Sequence, residues 1–540
     1  MKAKYFILSF LFSLLNSVVW GENFLERYDI RNFGAIGDGI TLNTKQIQVA
    51  IDSCSAKGGG TVYFAPNNIF LTGTIKIKSN VTMFIDGNSR IVGSDYLKDY
   101  REDVGGCSYG EGIDRALVYA DGAQNIALTG TGCIDGGNRG KKNTPSEHAK
   151  LLDENGEETH HRPVAIRLRN CERVRMNNLL FTNSRSWFTH LQFCSDVAIS
   201  GITIDNPYQD GFNIESCQDV RISDCSLNCY DDGFALTTSN PDKPIRNFTI
   251  TNCTVKSHWS AIRFGPLSKG NFENVLFNNL VLYDCEGGGI KIDPCEGGAV
   301  RNCQFNNIRM DKVQGPICIQ SARWPYIGVG SWDEKGRKLM PASPIQNLRF
   351  SNMIIHAVGH PVNDPNHNPI IWIHGHPEAI AKNLIFENIQ ITVPGGGTVE
   401  NAARRDMRDV DEIKWDEAGY WYTNKSAFGV PPSYGLYARH VEGLELRNVE
   451  FRLENEDTRP VMFWNQCKDV SVSGAKMDIS QAADCAMVAK DCSTIYLQNI
   501  CSLNEVETLL QLENTNPSFV KTYSQNPFSK HKKEIDYKSE

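Results

Sequence analysis

Three aspartates stand in two short turn-like sequences, Asp210 in Tyr208-Gln209-Asp210-Gly211 and Asp231 with Asp232 in Cys229-Tyr230-Asp231-Asp232-Gly233. Polar and basic residues follow: His258, Ser260 and Arg263 in one stretch, Lys291 and Asp293 in the next. Carboxyl groups brought close together suit cleavage of a glycosidic bond. One must protonate the departing oxygen while another activates a nucleophile, and crowding like charges raises one pKa so that both protonation states coexist. Taken singly, Asp-Gly and Asp-Asp-Gly are ordinary turn sequences. The chemistry depends on a fold that brings these separated residues onto one patch.

The elements that would do so are written as a repeat. A motif of alternating apolar residues broken by Asn, Asp or Gly recurs as RVRMNNLL (Arg173 to Leu180), DVAISGITI (Asp196 to Ile204), DVRISDCSL (Asp219 to Leu227), NFTITNCTV (Asn247 to Val255) and NVLFNNLVL (Asn274 to Leu282), with further copies to Met477. Counted on the second residue from Val174, the copies fall at 174, 197, 220, 248, 275, 303, 348, 384, 444 and 470. Alternation with period two means strand. Asn recurs four residues after that reference position, at Asn178, Asn252, Asn279, Asn307, Asn352, Asn388 and Asn448. It tolerates left-handed turn geometry, and stacked amides bond their neighbours above and below. Each copy therefore reads as one coil of a parallel β-helix, stacked roughly 4.8 Å from the next. Helix-containing solenoids share the period, but the copies lack a ten-residue helical pattern. Ile47, Ala50, Ile51 and Cys54 lie at helical spacing between Asn43-Thr44 and Gly58-Gly59-Gly60, which predicts a helix capping the open end. In such a solenoid, polar residues at like offsets in successive coils share a face. Asp210, Asp231, Asp232, His258, Arg263, Lys291 and Asp293 all fall 10 to 18 residues after their reference positions, so the prediction is one patch.

Length and composition agree with a large globular chain. It has 540 residues, 41% hydrophobic and 22% charged, with net charge -8. That balance excludes a chain-wide attraction to nucleic acid. Lys2 and Lys4, then an apolar run from Tyr5 to Trp20, read as a secretory leader over residues 1 to 21, which implies export to the periplasm or beyond and no membrane span after cleavage. The 17 cysteines are an odd number, and Cys171, Cys194 and Cys217 recur at 23-residue steps. They are expected as stacked, buried thiols, with one or two disulfides elsewhere. Cys225 and Cys229 have the spacing of a metal or redox pair but no companion ligands in the sequence nearby. The β-helix is expected over 22 to 515, followed by a polar, solvated tail from 516 to 540.

The chain resembles glycoside hydrolase family 28, the polygalacturonases and their relatives, and specifically bacterial secreted members. The resemblance rests on Asn32-Phe33-Gly34-Ala35-Ile36-Gly37-Asp38-Gly39, Gly58-Gly59-Gly60-Thr61-Val62, Leu71-Thr72-Gly73, Arg162-Pro163, Asn183-Ser184 with Trp187, and Tyr434-Gly435-Leu436-Tyr437-Ala438-Arg439-His440. It implies an all-β fold, a single-stranded right-handed parallel β-helix of the pectin-lyase-like kind with an N-terminal capping helix. It also implies that Asp231 is the general acid and that Asp210 and Asp232 activate water, with inversion. No cofactor and no metal are called for. Two family blocks depart. Trp259-Ser260-Ala261 stands where Gly-His-Gly is expected, with His258 displaced, and Lys291-Ile292-Asp293 stands for Arg-Ile-Lys. Those cations grip a uronate carboxylate in the family, and Asp in place of Lys reverses the charge. His258, Arg263 and Lys291 are the candidate substrate-binding residues, with Arg263 able to compensate. The substrate is then pectin or a related acidic polysaccharide, or one with a neutral, sulfated or differently linked sugar at the cleaved position.

Weaker features complete the reading. His374 and His376 flank Gly375 and are expected in a structural or substrate role rather than as metal ligands. Trp259, Trp324, Trp332, Trp415 and Trp421 are candidates for stacking on sugars or for packing loops. Insertions at 321 to 345 and 395 to 437 would wall the groove and favour attack from chain ends. Two alternatives to hydrolysis stay open: a Ca²⁺-dependent polysaccharide lyase using Lys291 as base, and a catalytically silent carbohydrate-binding solenoid.

Overall fold

The computed structural model describes residues 26–102, 104, 113–139, 149–205, 207–322, 340–359, 370–405, 407–409, 412, 428–523 and 531–538. The leader expected at 1 to 21, Trp324, Trp332, Trp415, Trp421, most of the 321 to 345 insertion and part of the 395 to 437 insertion lie outside these residues. Among the described residues no helix is long and apolar enough to cross a membrane.

The chain winds into two long parallel sheets, one of 25 strands and one of 15. The reference positions of the repeat stack in one unbroken row. Val174 pairs with Val197, then Val220, Phe248, Val275, Cys303, Leu348, Leu384, Leu444 and Val470. Two positions on, Phe277, Phe305, Phe350 and Phe386 point inward and stack with ring centroids 5.3, 4.8 and 4.8 Å apart. The interior is thus a column of like residues rather than a mixed core, because a parallel register repeats every side chain at its own kind.

The predicted asparagine corner is present. Asn252, Asn279, Asn307, Asn352, Asn388 and Asn448 all have φ between 52° and 57°, and Asn279 Nδ2 donates to Asn252 Oδ1 at 3.2 Å, Asn388 Nδ2 to Asn352 Oδ1 at 3.1 Å. A second ladder escaped the sequence reading. It runs along the first residue of each copy, where Asn274 donates to Asn247, Asn347 to Asn302 and Asn383 to Asn347, again with positive φ.

Helix α1 (Thr44–Ala56) caps the N-terminal end, with Ile47, Ala50, Ile51 and Cys54 fully buried. Cys171, Cys194 and Cys217 are buried, unbridged thiols, Cys194 N–H donating to Cys217 Sγ at 3.3 Å. Cys225 and Cys229 are likewise buried and unbridged. The segment expected as a polar, solvated tail is exposed or half-buried where described, and it carries strands. Val520–Tyr523 pairs with Ser493–Gln498, and His531–Lys538 with Val506–Glu513. These segments continue the helix by a coil. Among the described residues nothing pairs with their outer edge, and sheet edges favour polar residues.

The 15-stranded sheet positions the site. Its successive strands include β1 (Val164–Arg169), β2 (Thr189–Gln192), β3 (Phe212–Glu215), β4 (Phe234–Thr238), β5 (Ser260–Ser268), β6 (Gly288–Ile292), β7 (Ile317–Gln320) and β8 (Ile371–His374), each paired in parallel with the next.

Candidate active site

The aspartates sit just ahead of β3 and β4, where each loop enters its strand. Phe212 pairs with Phe234 and Phe234 with Ile262, while Gly211 N–H donates to Asp232 O and Gly233 N–H to Ser260 O, both at 2.9 Å. Asp210, Asp232 and Ser260 therefore stand in one row on adjacent coils. The glycines after the aspartates answer to space. A Cβ on Gly211 would lie 2.7 Å from Cys229 Sγ and 2.9 Å from Gly233 O; one on Gly233 would lie 2.5 Å from Val255 Cγ1 and 2.8 Å from Ala261 O. The Asp-Gly sequences mark where the loop must dive beneath the neighbouring coil with no side chain in the way.

Asp210, Asp231 and Asp232 each offer a carboxylate oxygen, and these lie within 4.8 Å of one another. Asp210 is 6% and Asp232 3% exposed, whereas Asp231 is half-buried. Asn213 Nδ2 donates to Asp210 Oδ2 at 2.8 Å, Ser260 N–H to Asp232 Oδ1 at 3.1 Å, and Asp232 N–H to Asp231 Oδ1 at 3.0 Å. Burial pushes the Asp210 carboxyl well above the usual range, and the Asp231 and Asp232 charges push it further. Burial raises Asp232 too, against the pull of Arg263 and Lys291. The cluster holds protons to higher pH than isolated carboxyls do, which is what acid and base need in order to coexist.

Of the predicted binding residues, Arg263 reaches the cluster, its Nη1 lying 3.5 Å from Asp232 Oδ2. Its other side is committed to Asp293, with Nη2 at 3.1 Å from Oδ2 and Nε at 3.4 Å from Oδ1. Lys291 pairs with Arg263 across β5 and β6. Its Nζ is 3.6 Å from Asp293 Oδ2 and 5.5 Å from the Trp259 ring centroid, and burial lowers its pKa. His258 stands at the rim, Nδ1 3.2 Å from Glu286 Oε1 and its ring 5.2 Å from Tyr230. Tyr208 stacks on Tyr230 at 6.4 Å.

Two cavities open on this surface. One of about 330 Å³ is lined by Tyr230, Asp231, His258, Trp259, Arg263 and Glu286. The other holds Asp210, Asp232, Trp187, Gln209 and Asn213. Asp231 and Arg263 line both, so Asp231 stands on the ridge between a hollow with room for a sugar ring and a second of about 40 Å³ with room for water. Sequence reading missed Asn213, Glu286, Tyr208 and Tyr230 as members of the site. Asn213 was legible in principle, three residues after Asp210 on the strand that Asp210 opens.

His374 and His376 are buried elsewhere on the same sheet and line neither hollow. Burial lowers the His374 pKa to about 4, and its Nε2 is 3.5 Å from Asp409 Oδ1. Among the described residues the one His, Cys, Asp or Glu group close enough to share a cation is the aspartate trio itself.

Comparison with known proteins gives consistent findings. The model of glycosyl hydrolases family 28 matches residues 64–399. A protein described as "Probable polygalacturonase" from Vitis vinifera is 29% identical over 348 residues, spanning 61% of this chain and 68% of its own. Among solved structures, the exopolygalacturonase of Thermotoga maritima superposes with TM-score 0.52 at 22% identity, over 68% of this chain and 87% of its own. The family 28 exopolygalacturonase of Yersinia enterocolitica gives TM-score 0.60 at 18% identity, over 83% and 78%. At these identities the two structures speak to the fold, a right-handed parallel β-helix.

Proposed function

The chain belongs to glycosyl hydrolases family 28 and is a glycosidase, and on that premise we propose that it hydrolyses pectin or a related acidic polysaccharide with inversion, using Asp231 as general acid and Asp210 with Asp232 to hold and deprotonate water. The observation that carries the proposal is the place of Asp231. It lines both hollows, the larger with room for a sugar ring and the smaller, of about 40 Å³, with room for water beside Asp210 and Asp232. Protonation of the leaving oxygen from the ridge and attack by water from the Asp210–Asp232 side follow from that layout. Arg263, beside Asp232 at 3.5 Å, favours its ionised form as base. Tyr208, Tyr230 and Trp259 offer aromatic faces for the rings. Action outside the cytoplasm is supported by the leader-like residues 1 to 21, and attack from chain ends by the insertions at 321 to 345 and 395 to 437.

A second stereochemical reading has an observation of its own. Inverting pairs usually stand roughly 6.5–9.5 Å apart and retaining pairs about 5–5.5 Å, and the oxygens here are within 4.8 Å. Retention would make one aspartate a nucleophile. Inversion is preferred because two acceptors, Asp210 and Asp232, stand together and can hold one water between them. Proton NMR of the first-formed product settles the matter: an inverted anomer supports the water-activating roles, and a retained one overturns them. Asp231→Asn supplies the test of the acid. Turnover should fall by roughly 10²–10⁴-fold while oligosaccharide binding persists. Residual activity above a tenth of wild type would remove Asp231 from the role.

A further inference from the structure

We propose that the sugar ring held against Arg263 at the cleaved bond carries no charged carboxyl, and that Asp293 is the residue that sets this specificity. The inference rests on the hydrolase reading for where the ring lies. A guanidinium recognises a carboxylate by presenting two N–H groups to its two oxygens. In this protein that fork is already filled from within. Arg263 Nη2 and Nε face the two oxygens of Asp293 at 3.1 and 3.4 Å, and its Nη1 faces Asp232 at 3.5 Å. The buried neighbour of Arg263, Lys291, also faces Asp293, at 3.6 Å. Asp293 is fully buried, and the side chains of Arg263 and Lys291 are 6% and 5% exposed, so solvent screens these pairs weakly. Asp293 occupies the seat that a substrate carboxylate would take.

The charge inventory points the same way. Asp210, Asp231, Asp232, Glu286 and Asp293 crowd acidic charge around Arg263, Lys291 and His258, and His258 is itself paired with Glu286 at 3.2 Å, while Arg162 stands further out over the Tyr208 ring. A charged carboxyl brought beside Asp231 meets like charge, and the two buried cations there, Arg263 and Lys291, are already paired with Asp293. Aromatic faces and hydroxyl acceptors remain, which suits an uncharged ring. Two chemistries meet that description, a neutral sugar and a uronate whose carboxyl is esterified.

The test compares three forms of one pectic oligosaccharide series: free acid, methyl ester, and carboxyl groups reduced to primary alcohols. Wild type should show kcat/KM at least tenfold higher on one or both uncharged forms than on the free acid, the two arms telling a neutral sugar from an ester. Binding of the three forms by Asp231→Asn, measured calorimetrically, reads the same preference without turnover, so a failure of the catalytic assignment leaves this result intact. Asp293→Asn should free the Arg263 fork and shift the ratio about tenfold toward the free acid. A wild-type preference for the free acid overturns the proposal. An unchanged ratio in folded Asp293→Asn removes Asp293 as its cause.

Discussion

Replacing Asp210 by Asn should make the protein more stable at neutral pH while disabling the site. Asn keeps the shape and can still accept the 2.8 Å bond from Asn213 Nδ2, so the change removes charge and little else. Two unit charges 4.8 Å apart, the outer limit here, repel by about 3 kcal/mol at an effective dielectric near 20. Asp210 faces two such neighbours, and Arg263 returns part of that cost. A net gain of roughly 2 kcal/mol at pH 7.5 is the expected scale once this offset and partial protonation are allowed for. The pH dependence has a definite sign. A carboxyl whose pKa is raised on folding binds more protons folded than unfolded, so wild type loses stability as pH rises from about 4 through the raised value. The gain from Asp210→Asn should therefore be full above that value and shrink below about 0.5 kcal/mol near pH 4, where wild type carries the proton in both states. Urea denaturation followed by tryptophan fluorescence at pH 4 and pH 7.5 reads both numbers. A variant no more stable than wild type at pH 7.5, or a gain equal at the two pH values, would refute the electrostatic account of the site.

Other consequences can be checked alongside. Asn279→Ala should cost roughly 2–3 kcal/mol, since it loses ladder bonds to Asn252 and Asn307 and puts at φ 56° a residue that tolerates the left-handed region less well than Asn; Asn279→Gly, free of the backbone strain, should cost about half of that in the same urea titration. Gly233→Ala must push against Val255 and the Ala261 carbonyl, so it should destabilise by about 1–3 kcal/mol and cut kcat roughly tenfold or more by shifting Asp232. Chelation should leave hydrolysis unchanged and no ultraviolet-absorbing product should form; loss of activity to a chelator would turn the aspartate trio into a cation site and favour a lyase. On polymer, reducing sugar should appear before viscosity falls, and the reverse order would reject attack from chain ends.

How much was legible depended on how local the signal was. Every reference position from Val174 to Val470 stacks as the repeat predicted, because in a parallel solenoid the register is the sequence period itself. The strands of the C-terminal segment were not legible for a related reason: among the described residues Val520–Tyr523 and His531–Lys538 have one neighbouring coil and stay exposed or half-buried, so they lack the clear apolar alternation by which strands are recognised. The second asparagine ladder was also in plain sight at Asn247, Asn274, Asn302, Asn347 and Asn383, yet one Asn at the head of a motif carries no sign that its amide bonds the next coil.

The site divides along the same line. Periodicity alone determined that Asp210, Asp231 and Asp232 share a face, since offset within a coil fixes angular position around the axis. Whether Arg263 and Lys291 were available to a ligand could not be read that way. Their availability turns on which buried side chains meet beside β5 and β6 at 3.1–3.6 Å, and on Asp231 standing at the ridge between two hollows. The chain's repeat places residues to within a coil. Ion pairing and access are decided at the scale of a single hydrogen bond, where desolvation and the exact reach of each side chain come into play only after the coils have closed on one another.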